Sequence, residues 1–339
     1  MRNGHLTPSA SSHHSPSAPL TPGERPLLFV VVGPTAIGKT SMAIGLAKWL
    51  GCEILNADSR QVYRDMRIGT AQPTATECAE VPHHFVDFLD VEKLYSAGQF
   101  EKDALNWLDN WFSSHRTAVM VGGSGLYIKA VLEGLDEVPA SVEIRDRLRK
   151  ELEENGADSL LKQLKELDPI HYAKMDRSNT QRVIRALEVC LASGKPFSSH
   201  HSNSAAERPF DIRIIGLEMN REWLVDRINA RVAQMVENGF ESEARELHPK
   251  AHLNALQTVG YREWFDHFDG KLSRDQAISA IQVHTRQFAK RQMTWFKRMD
   301  GINWFDASNR MAAFNWAMAC CAERGWSPAP LDGTDPPMT

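Results

Sequence analysis

An alternation of short apolar runs, polar turns and helical stretches organises most of the chain. Four runs have the length and composition of buried strands: Leu27 to Val32, Ile54 to Ala57, Ala118 to Val121 and Ile212 to Leu217. We expect helical sequence after each of the first three. Such alternation predicts an α/β fold with a doubly wound parallel sheet. Because ligands of these sheets bind at the carboxyl ends of the strands, the turns after the first three runs are expected to converge on one cleft.

The middle of the chain carries a different pattern. Between roughly residues 133 and 205 the apolar residues recur at helical spacing without any strand-like run, which predicts an inserted all-helical domain. The α/β core is then formed by residues 27–132 and 206–326. After the fourth apolar run, a helix is expected from about Arg221 to Asn238, ended by Gly239.

Both ends of the chain lack periodic apolar residues. Residues 1–26 are rich in serine, proline and histidine, and residues 327–339 carry proline, glycine and aspartate. These compositions predict two disordered tails. His13 and His14 lie in the first tail, where we interpret them as exposed residues and not as a metal-binding tract.

Composition narrows the class of protein. With 339 residues, 42% of them hydrophobic and 24% charged, the chain is typical of a globular protein with a sizeable core. The net charge of −4 argues against indiscriminate nucleic-acid binding but allows local basic faces. Five cysteines without a C-x-x-C pair indicate neither a disulfide framework nor a zinc site. Without a signal peptide or an apolar run of about 18 residues, a cytoplasmic protein with no membrane contact is expected.

A complete phosphate-loop motif follows the first apolar run. It reads G-x-x-x-x-G-K-T and consists of Gly33, Pro34, Thr35, Ala36, Ile37, Gly38, Lys39 and Thr40. A helical pattern from Ser41 to Leu50 comes directly after it, so the sheet is expected to resemble that of P-loop NTPases. Backbone N–H groups of such a turn bind phosphate oxygens, Lys39 adds a cation, and the Thr40 hydroxyl can hold Mg²⁺. A plain glycine turn would leave Lys39 and Thr40 unexplained.

Three further segments carry candidate chemistry. Asp58 ends the second run, where it can act as a general base or merely cap a turn. In Asn179–Arg185, after the possible caps Asp176 and Ser178, Gln181 and Arg185 share a helical face, which is also typical of a solvated helix start. In His284–Arg298, basic and aromatic residues alternate. They suit RNA contact and base stacking, or an amphipathic helix with core aromatics.

Taken in order, the motifs resemble the tRNA dimethylallyltransferase (isopentenyltransferase) family, in its bacterial type. The resemblance rests on nine blocks between about Phe29 and Asp306: GPTAIGKT, DSRQVY with RIGTAQP, VPHHFVD, YSAGQF, GGSGLY, NTQRVIRALEV, RVAQMVENGF, TVGYRE and TRQFAKRQMTWF. One departure is Ser124, where the family commonly has threonine. The zinc finger of many eukaryotic members has no matching spacing after Asp306.

The resemblance implies transfer of a dimethylallyl group from its pyrophosphate to the exocyclic amine of the adenosine 3′ to a tRNA anticodon, in tRNAs that read codons beginning with U. It implies that Asp58 takes the proton from the amine. Thr40, Arg231 and Lys39 would stabilise the departing pyrophosphate, with Mg²⁺ at Thr40. The loop would then hold a leaving group and not ATP, and we expect a monomer.

The resemblance also implies a set of residues that face the tRNA anticodon loop. They are Asp58, Ser59, Arg60, Gln61, Ser124, Arg145, Gln181, Arg182, Val183, Ile184, Arg185, Thr258, Gly260, Tyr261, Arg262 and Arg286. To reach its target, the enzyme must unstack the adenosine, and contacts to the splayed loop offset that cost.

Three other functions remain open from the residues. A P-loop kinase for a small metabolite shares the loop and the sheet but does not require the TRQFAKRQMTWF block. An adenylate isopentenyltransferase shares the donor chemistry and would act on free AMP. A GTPase switch is disfavoured because the chain has no N-K-x-D motif.

Overall fold

The computed structural model describes residues 23–136, 138–200 and 206–326. Within these ranges the chain forms two compact units. The first comprises the described parts of Met1–Leu132 and Arg208–Thr339, and the second those of Glu133–Glu207. Residues 1–22 and 327–339, which include His13 and His14, most of the first predicted tail and all of the second, lie outside the described residues. In the described ranges, no helix is long and apolar enough to cross a membrane.

The first unit begins with alternating strands and helices. These are β1 (Leu27–Val32), α1 (Lys39–Leu50), β2 (Ile54–Asn56), α2 (Ala75–Glu80), β3 (His83–His84), α3 (Ala97–Phe112), β4 (Thr117–Gly122) and α4 (Gly125–Glu133). The expected helix directly after β2 is wrong. Residues 57–74 form turns instead, because the side-chain amides of Gln61 and Gln72 donate to backbone carbonyls within this segment.

The second unit is helical, as expected. Its helices are α5 (Val142–Asn155), α6 (Ala157–Leu167), α7 (Pro169–Lys174) and α8 (Thr180–Ser193), followed by a short 3-10 turn at Phe197–His200. Leucines of α5 and α6 pack against the apolar face of α8. The cap of α8 is Asn179, whose side chain accepts the Arg182 N–H, and not Asp176 or Ser178. Asp176 accepts from Ser178 in the preceding turn.

The first unit resumes after the helical unit. It continues with β5 (Asp211–Glu218), α9 (Arg221–Glu237), α10 (Phe240–Leu247), α11 (Tyr261–Phe268), α12 (Arg274–Phe296), β6 (Ile302–Asp306) and α13 (Arg310–Ala322). The basic and aromatic segment predicted at His284–Arg298 comprises the second half of α12 and the two residues that follow it. This helix starts ten residues earlier, where Ser273 and Gln276 form a capping box.

A six-stranded sheet in the order β3-β2-β4-β1-β5-β6 forms the centre of the first unit. Every pair of neighbouring strands is parallel, which confirms the predicted α/β class. The four predicted strands are present, whereas β3, which is two residues long, and β6, a five-residue edge strand, are not among the predicted runs. Helices α1 and α13 cover one face of the sheet with an apolar core.

Residues 25 and 26 contact the sheet of the first unit, so the predicted boundary of the first tail is too late in the chain. Arg25, assigned by composition to the disordered segment 1–26, pairs with Asp211 at 2.9 Å. The Pro26 carbonyl accepts the Asp211 N–H at 2.8 Å. These contacts to β5 hold residues 25 and 26 against the sheet, so order begins before β1.

Candidate active site

The phosphate loop spans Gly33 to Thr40 between β1 and α1, as predicted. Gly33, Ala36 and Gly38 have φ angles of 148°, 64° and 101°. A Cβ on Gly33 would lie 2.7 Å from the Leu217 carbonyl oxygen, so only glycine allows the loop to approach β5 this closely. The loop therefore has the tight, backbone-lined shape that oxyanion binding requires.

Lys39 is partly buried beside two charged groups, Arg231 and Asp58. Its Nζ donates to the Pro34 carbonyl at 2.8 Å and so points back across the loop. Burial and the nearby Arg231 lower the pKa of Lys39 to about 7, while the Asp58 carboxylate opposes part of that shift. An anion in the loop would restore the charged ammonium, so this lysine is poised to respond to bound phosphate.

Two arginines of α9 lie next to the loop. Arg227 Nε donates to the Ala36 carbonyl at 2.8 Å, which holds the middle of the loop in place. Arg231, one helical turn further along, lines the same cavity as Lys39 and Thr40. Burial lowers the pKa of Arg231, and the Asp58 carboxylate opposes the shift. A partly buried guanidinium that lines the same cavity as the phosphate loop is suited to anion recognition.

Asp58 sits on the first turn after β2. Its Oδ1 accepts the N–H groups of Arg60 at 2.9 Å and Gln61 at 3.4 Å. The Ser59 N–H donates to Ser124 Oγ at 2.9 Å. The hydroxyl of Ser124 therefore joins this turn to the Gly122–Gly125 turn. Its observed contacts hold the Asp58 turn in place, whereas its predicted contact with tRNA stays a prediction.

Gln292 of α12 ties the two glycine-containing loops together. Its Oε1 accepts the Thr35 N–H at 2.8 Å, and its Nε2 donates to the Gly123 carbonyl at 3.0 Å. A Cβ on Gly123 would lie 2.3 Å from Nε2, and one on Gly125 would lie 2.2 Å from Trp295. Glycines in the GGSG turn thus allow α12 to dock. Sequence reasoning missed Gln292 as an individual residue, although it lies in the TRQFAKRQMTWF block.

Replacing Gln292 by methionine is expected to lower the free energy of unfolding by about 1–3 kcal/mol and to weaken pyrophosphate binding. The Thr35 N–H and the Gly123 carbonyl would lose their buried partner. Thermal denaturation and calorimetric titration with pyrophosphate measure the two effects. Gln287→Met, on an exposed position of the same helix, is the matched control. Equal behaviour of the two variants would contradict this role.

The loop and the two turns surround one cavity of about 920 Å³, which confirms the expected convergence. Its polar side includes Lys39, Thr40, Asp58 and Arg231. The remaining wall includes apolar side chains from α9, α10 and α12: Val232, Met235, Phe240, Ile281, Phe288 and Trp295. Cationic and apolar side chains thus line the same cavity.

The third predicted tRNA segment divides between cavity and core. Thr258, Gly260 and Arg262 line the cavity together with Ser59, Arg60 and Gln61. Tyr261 is fully buried, and its hydroxyl donates to Glu243 Oε1 at 2.6 Å. The prediction that Tyr261 faces tRNA is therefore corrected. The Glu243 carboxylate also accepts the Ile68 and Gly69 N–H groups at 2.7 and 2.8 Å. Tyr261 and Glu243 together therefore anchor the loop before α2.

The basic and aromatic residues of α12 also divide. Phe288 and Trp295 are partly exposed and line the cavity, whereas Phe296 is fully buried. The interpretation as a core aromatic thus holds for Phe296, whereas RNA contact by Phe288 and Trp295 stays a prediction. Arg286 does not line the cavity, and its Nη1 donates to Asn229 Oδ1 of α9 at 3.3 Å.

Within the second unit, the predicted tRNA residues fall into three groups. Gln181 and Arg182 are exposed on the first turn of α8. Val183 and Ile184 are each only 2% exposed, so burial in the helical core corrects the prediction that their side chains face tRNA. Arg145 and Arg185 both form ion pairs with the buried Glu188, at 2.8 Å and 3.1 Å respectively.

Candidate metal ligands are sparse. Among the described residues, no group of three or more histidine, cysteine, aspartate or glutamate side chains could hold a metal ion. Thr40 lines the cavity at the start of α1. A divalent cation here would depend on oxygens of a bound phosphate and on water for most of its ligands, as Mg²⁺ at phosphate sites commonly does.

A parallel sheet with a phosphate loop, and with a carboxylate and an arginine facing that loop, defines an α/β protein of the P-loop type. Residues 61–299 match the model of the IPP transferase family. The chain belongs to this family, which makes it a prenyltransferase.

Named relatives agree with this assignment. The tRNA dimethylallyltransferase of Christiangramia forsetii is 51% identical over 280 residues, covering 82% of this chain and 93% of the relative. The tRNA dimethylallyltransferase 1 of Porphyromonas gingivalis is 48% identical over 279 residues, covering 82% and 93%.

Solved structures show the same fold. The tRNA isopentenylpyrophosphate transferase of Bacillus halodurans is 35% identical with a TM-score of 0.65, covering 89% of this chain and 98% of that one. A eukaryotic dimethylallyltransferase acting on tRNA is 25% identical with a TM-score of 0.74, covering 88% and 80%.

Proposed function

We propose that this protein transfers a dimethylallyl group from dimethylallyl pyrophosphate to the exocyclic amine of the adenosine immediately 3′ of a tRNA anticodon. The products are N6-dimethylallyladenosine and pyrophosphate, in tRNAs that read codons beginning with U. One observation carries the proposal: a single cavity contains the phosphate loop, Arg231 and, facing them, Asp58. The names of the relatives supply the substrate class.

The pyrophosphate of the donor would bind at the phosphate loop. Backbone N–H groups of the loop and the N-terminus of α1 favour an anion there. Lys39 and Arg231 add two cations, and the Thr40 hydroxyl adds a donor. Because negative charge grows on the bridging oxygen as the carbon–oxygen bond breaks, donors fixed at this point stabilise the transition state more than the ground state.

The apolar wall suits the transferred group. Val232 and Met235 of α9 and Phe288 of α12 line the cavity that Arg231 also enters. A dimethylallyl chain has no polar atoms, so it gains from burial against such surfaces. Apolar walls would also keep water away from the reactive allylic carbon, which would otherwise be hydrolysed.

In the proposed reaction, the lone pair of the adenine N6 forms a bond to C1 of the dimethylallyl group. The C1–oxygen bond breaks, and its electron pair leaves with the pyrophosphate. Asp58 accepts the proton that N6 releases. Asp58 fits this role because its Oδ1 is held by the Arg60 and Gln61 N–H groups. An exocyclic amine is a poor nucleophile, so proton removal by a positioned carboxylate assists the attack.

Mg²⁺ fits the site as a partner of the pyrophosphate. The Thr40 hydroxyl at the start of α1 would hold the ion, and the absence of an acidic cluster among the described residues agrees with a cation that is carried largely by the pyrophosphate. When bound, the ion would neutralise part of the charge on the leaving group. Lys39 and Arg231 would supply the remainder.

The function is tested by incubating the protein with Mg²⁺, dimethylallyl pyrophosphate and unmodified tRNA, followed by mass spectrometry of the digested nucleosides. Free AMP in a parallel reaction is the comparison substrate. Prenylated adenosine from tRNA alone is expected, and pyrophosphate should compete with the donor while ATP is not hydrolysed. Product only from AMP would identify an adenylate isopentenyltransferase, and substrate-dependent ATP turnover would identify a kinase.

The affinity for pyrophosphate is expected to fall as the pH rises above about 7, by up to about tenfold per pH unit. In the empty site the pKa of Lys39 is lowered to about 7, so the ammonium loses its proton above that pH. A bound anion favours the protonated form, and binding therefore takes up a proton. Calorimetric titrations of wild type and Lys39→Met across this range measure the effect.

The Lys39→Met variant also serves as the control for the ligand. Pyrophosphate has proton equilibria of its own, and these contribute equally to both proteins. Only the difference between the two pH profiles reports on Lys39. Parallel profiles would show that the lysine does not titrate in this range.

A further inference from the structure

Asn56 is a buried polar residue at the wall of the cavity, and the proposed mechanism does not use it. It is the last residue of β2, lies two positions before Asp58 and is 4% exposed. Its Nδ2 has no hydrogen-bond partner among the described residues. An unpaired buried amide costs free energy comparable to a lost hydrogen bond, so its retention calls for an explanation.

The strand register places this amide near the phosphate loop. Asn56 pairs with Val121 of β4, which in turn pairs with Val31 of β1. Val31 and Val121 lie in the core on the α1 side of the sheet, and so does Ile54. Because side chains alternate along a strand, Asn56 points to the same side as Ile54. Its amide therefore lies on the face that α1 covers, and the cavity it lines includes Thr40.

The chemistry of the amide selects its ligand. The side chain offers one donor group and one acceptor, and rotation about χ2 exchanges their positions. Of the groups that the proposed reaction brings into the cavity, the dimethylallyl chain can use neither. Adenine would have to approach Asp58, which follows Asn56 on the turn outside the strand. The pyrophosphate has acceptor oxygens and binds at the α1 side, where Asn56 lies.

We propose that Asn56 is a binding residue for the pyrophosphate of the donor and of the product. Its amide donates to a phosphate oxygen, either directly or through a water molecule that this oxygen holds. The amide thus forms a second wall of the phosphate site, across from the loop backbone. This inference rests on the proposed function, because it takes the pyrophosphate as the ligand of the loop.

The decisive variant is Asn56→Asp, which keeps the shape of the side chain and replaces its donor by a negative charge. We expect affinity for magnesium pyrophosphate to fall by about tenfold to a hundredfold in calorimetric titration. Affinity for unmodified tRNA without donor should stay within about twofold, and the KM for dimethylallyl pyrophosphate should rise. Asn56→Ser, which keeps a hydroxyl donor, should restore part of the affinity.

The alternative outcomes separate the two proposals. Unchanged pyrophosphate affinity in Asn56→Asp, or a loss confined to tRNA affinity, would overturn the role of Asn56. If Asn56→Asp does not fold, Asn56→Ala replaces it, with a smaller loss of pyrophosphate affinity expected and unchanged affinity again contradicting the inference. Failure of the wild type to prenylate tRNA, with pyrophosphate binding intact, would overturn the proposed function and leave the binding site in place.

Discussion

Substituting Asp58 by alanine is expected to lower the turnover number by about 10²- to 10⁴-fold while leaving tRNA binding largely intact. The variant removes the carboxylate that would take the proton from the adenine amine. Asp58→Asn is the sharper form of the same change, because the asparagine oxygen can still accept the Arg60 and Gln61 N–H groups that shape the turn. Single-turnover assays with saturating donor and tRNA measure the chemical step directly.

The control for this prediction is Asp90→Asn. Asp90 carries the same functional group in an exposed pair with Arg64, and the substitution changes the net charge equally. Turnover of the control should equal that of wild type. Near-normal turnover of both Asp58 variants would remove the base assignment. If Asp58→Asn instead lost as much affinity for tRNA as it lost turnover, Asp58 would be a binding residue.

Arg231→Gln is expected to lower the turnover number by about 10²- to 10³-fold, the effect of one preorganised donor to a developing oxyanion. Burial lowers the pKa of Arg231, and the Asp58 carboxylate opposes the shift, so the guanidinium lies close to the proposed base. Glutamine keeps a hydrogen-bond donor but removes the charge. Steady-state rates with varied donor, together with pyrophosphate titration, measure the loss.

Arg221→Gln, at the exposed first position of the same helix, is the matched control. A loss of turnover that exceeds the loss of pyrophosphate affinity would place Arg231 in the transition state. Equal losses would limit it to ground-state binding. A turnover number close to that of wild type would contradict its role in leaving-group stabilisation.

Much of the fold was predictable because local sequence carries its signals. Buried parallel strands such as β1 are continuous apolar runs, and the phosphate loop needs glycine where φ is positive, as at Gly38. The segment after β2 was predicted wrongly for a physical reason. Its shape depends on Gln61 and Gln72, whose side chains donate to backbone carbonyls nine residues away in the same segment. The helix or turn propensities of single residues do not encode such contacts.

The candidate site was predictable only in part. Lys39, Thr40 and Asp58 stand at strand ends, where topology brings polar turns together. Tyr261 and Gly260 are neighbours in one motif, yet one is buried against Glu243 and the other lines the cavity. A motif identifies a segment, whereas the path of the backbone decides which of its side chains reach a ligand.

The sequence by itself determined the parallel α/β sheet, the phosphate loop and the family resemblance, because these depend on local composition and on ordered motifs. Only the tertiary structure decided how Gln292, 257 residues away from Thr35, closes the loop. It also decided that Arg231 and Asp58 line one cavity and that Nδ2 of Asn56 is buried at its wall with no hydrogen-bond partner in the part of the chain that the structure describes. Long-range contacts and burial arise from packing between elements distant in the chain, and no local pattern specifies them.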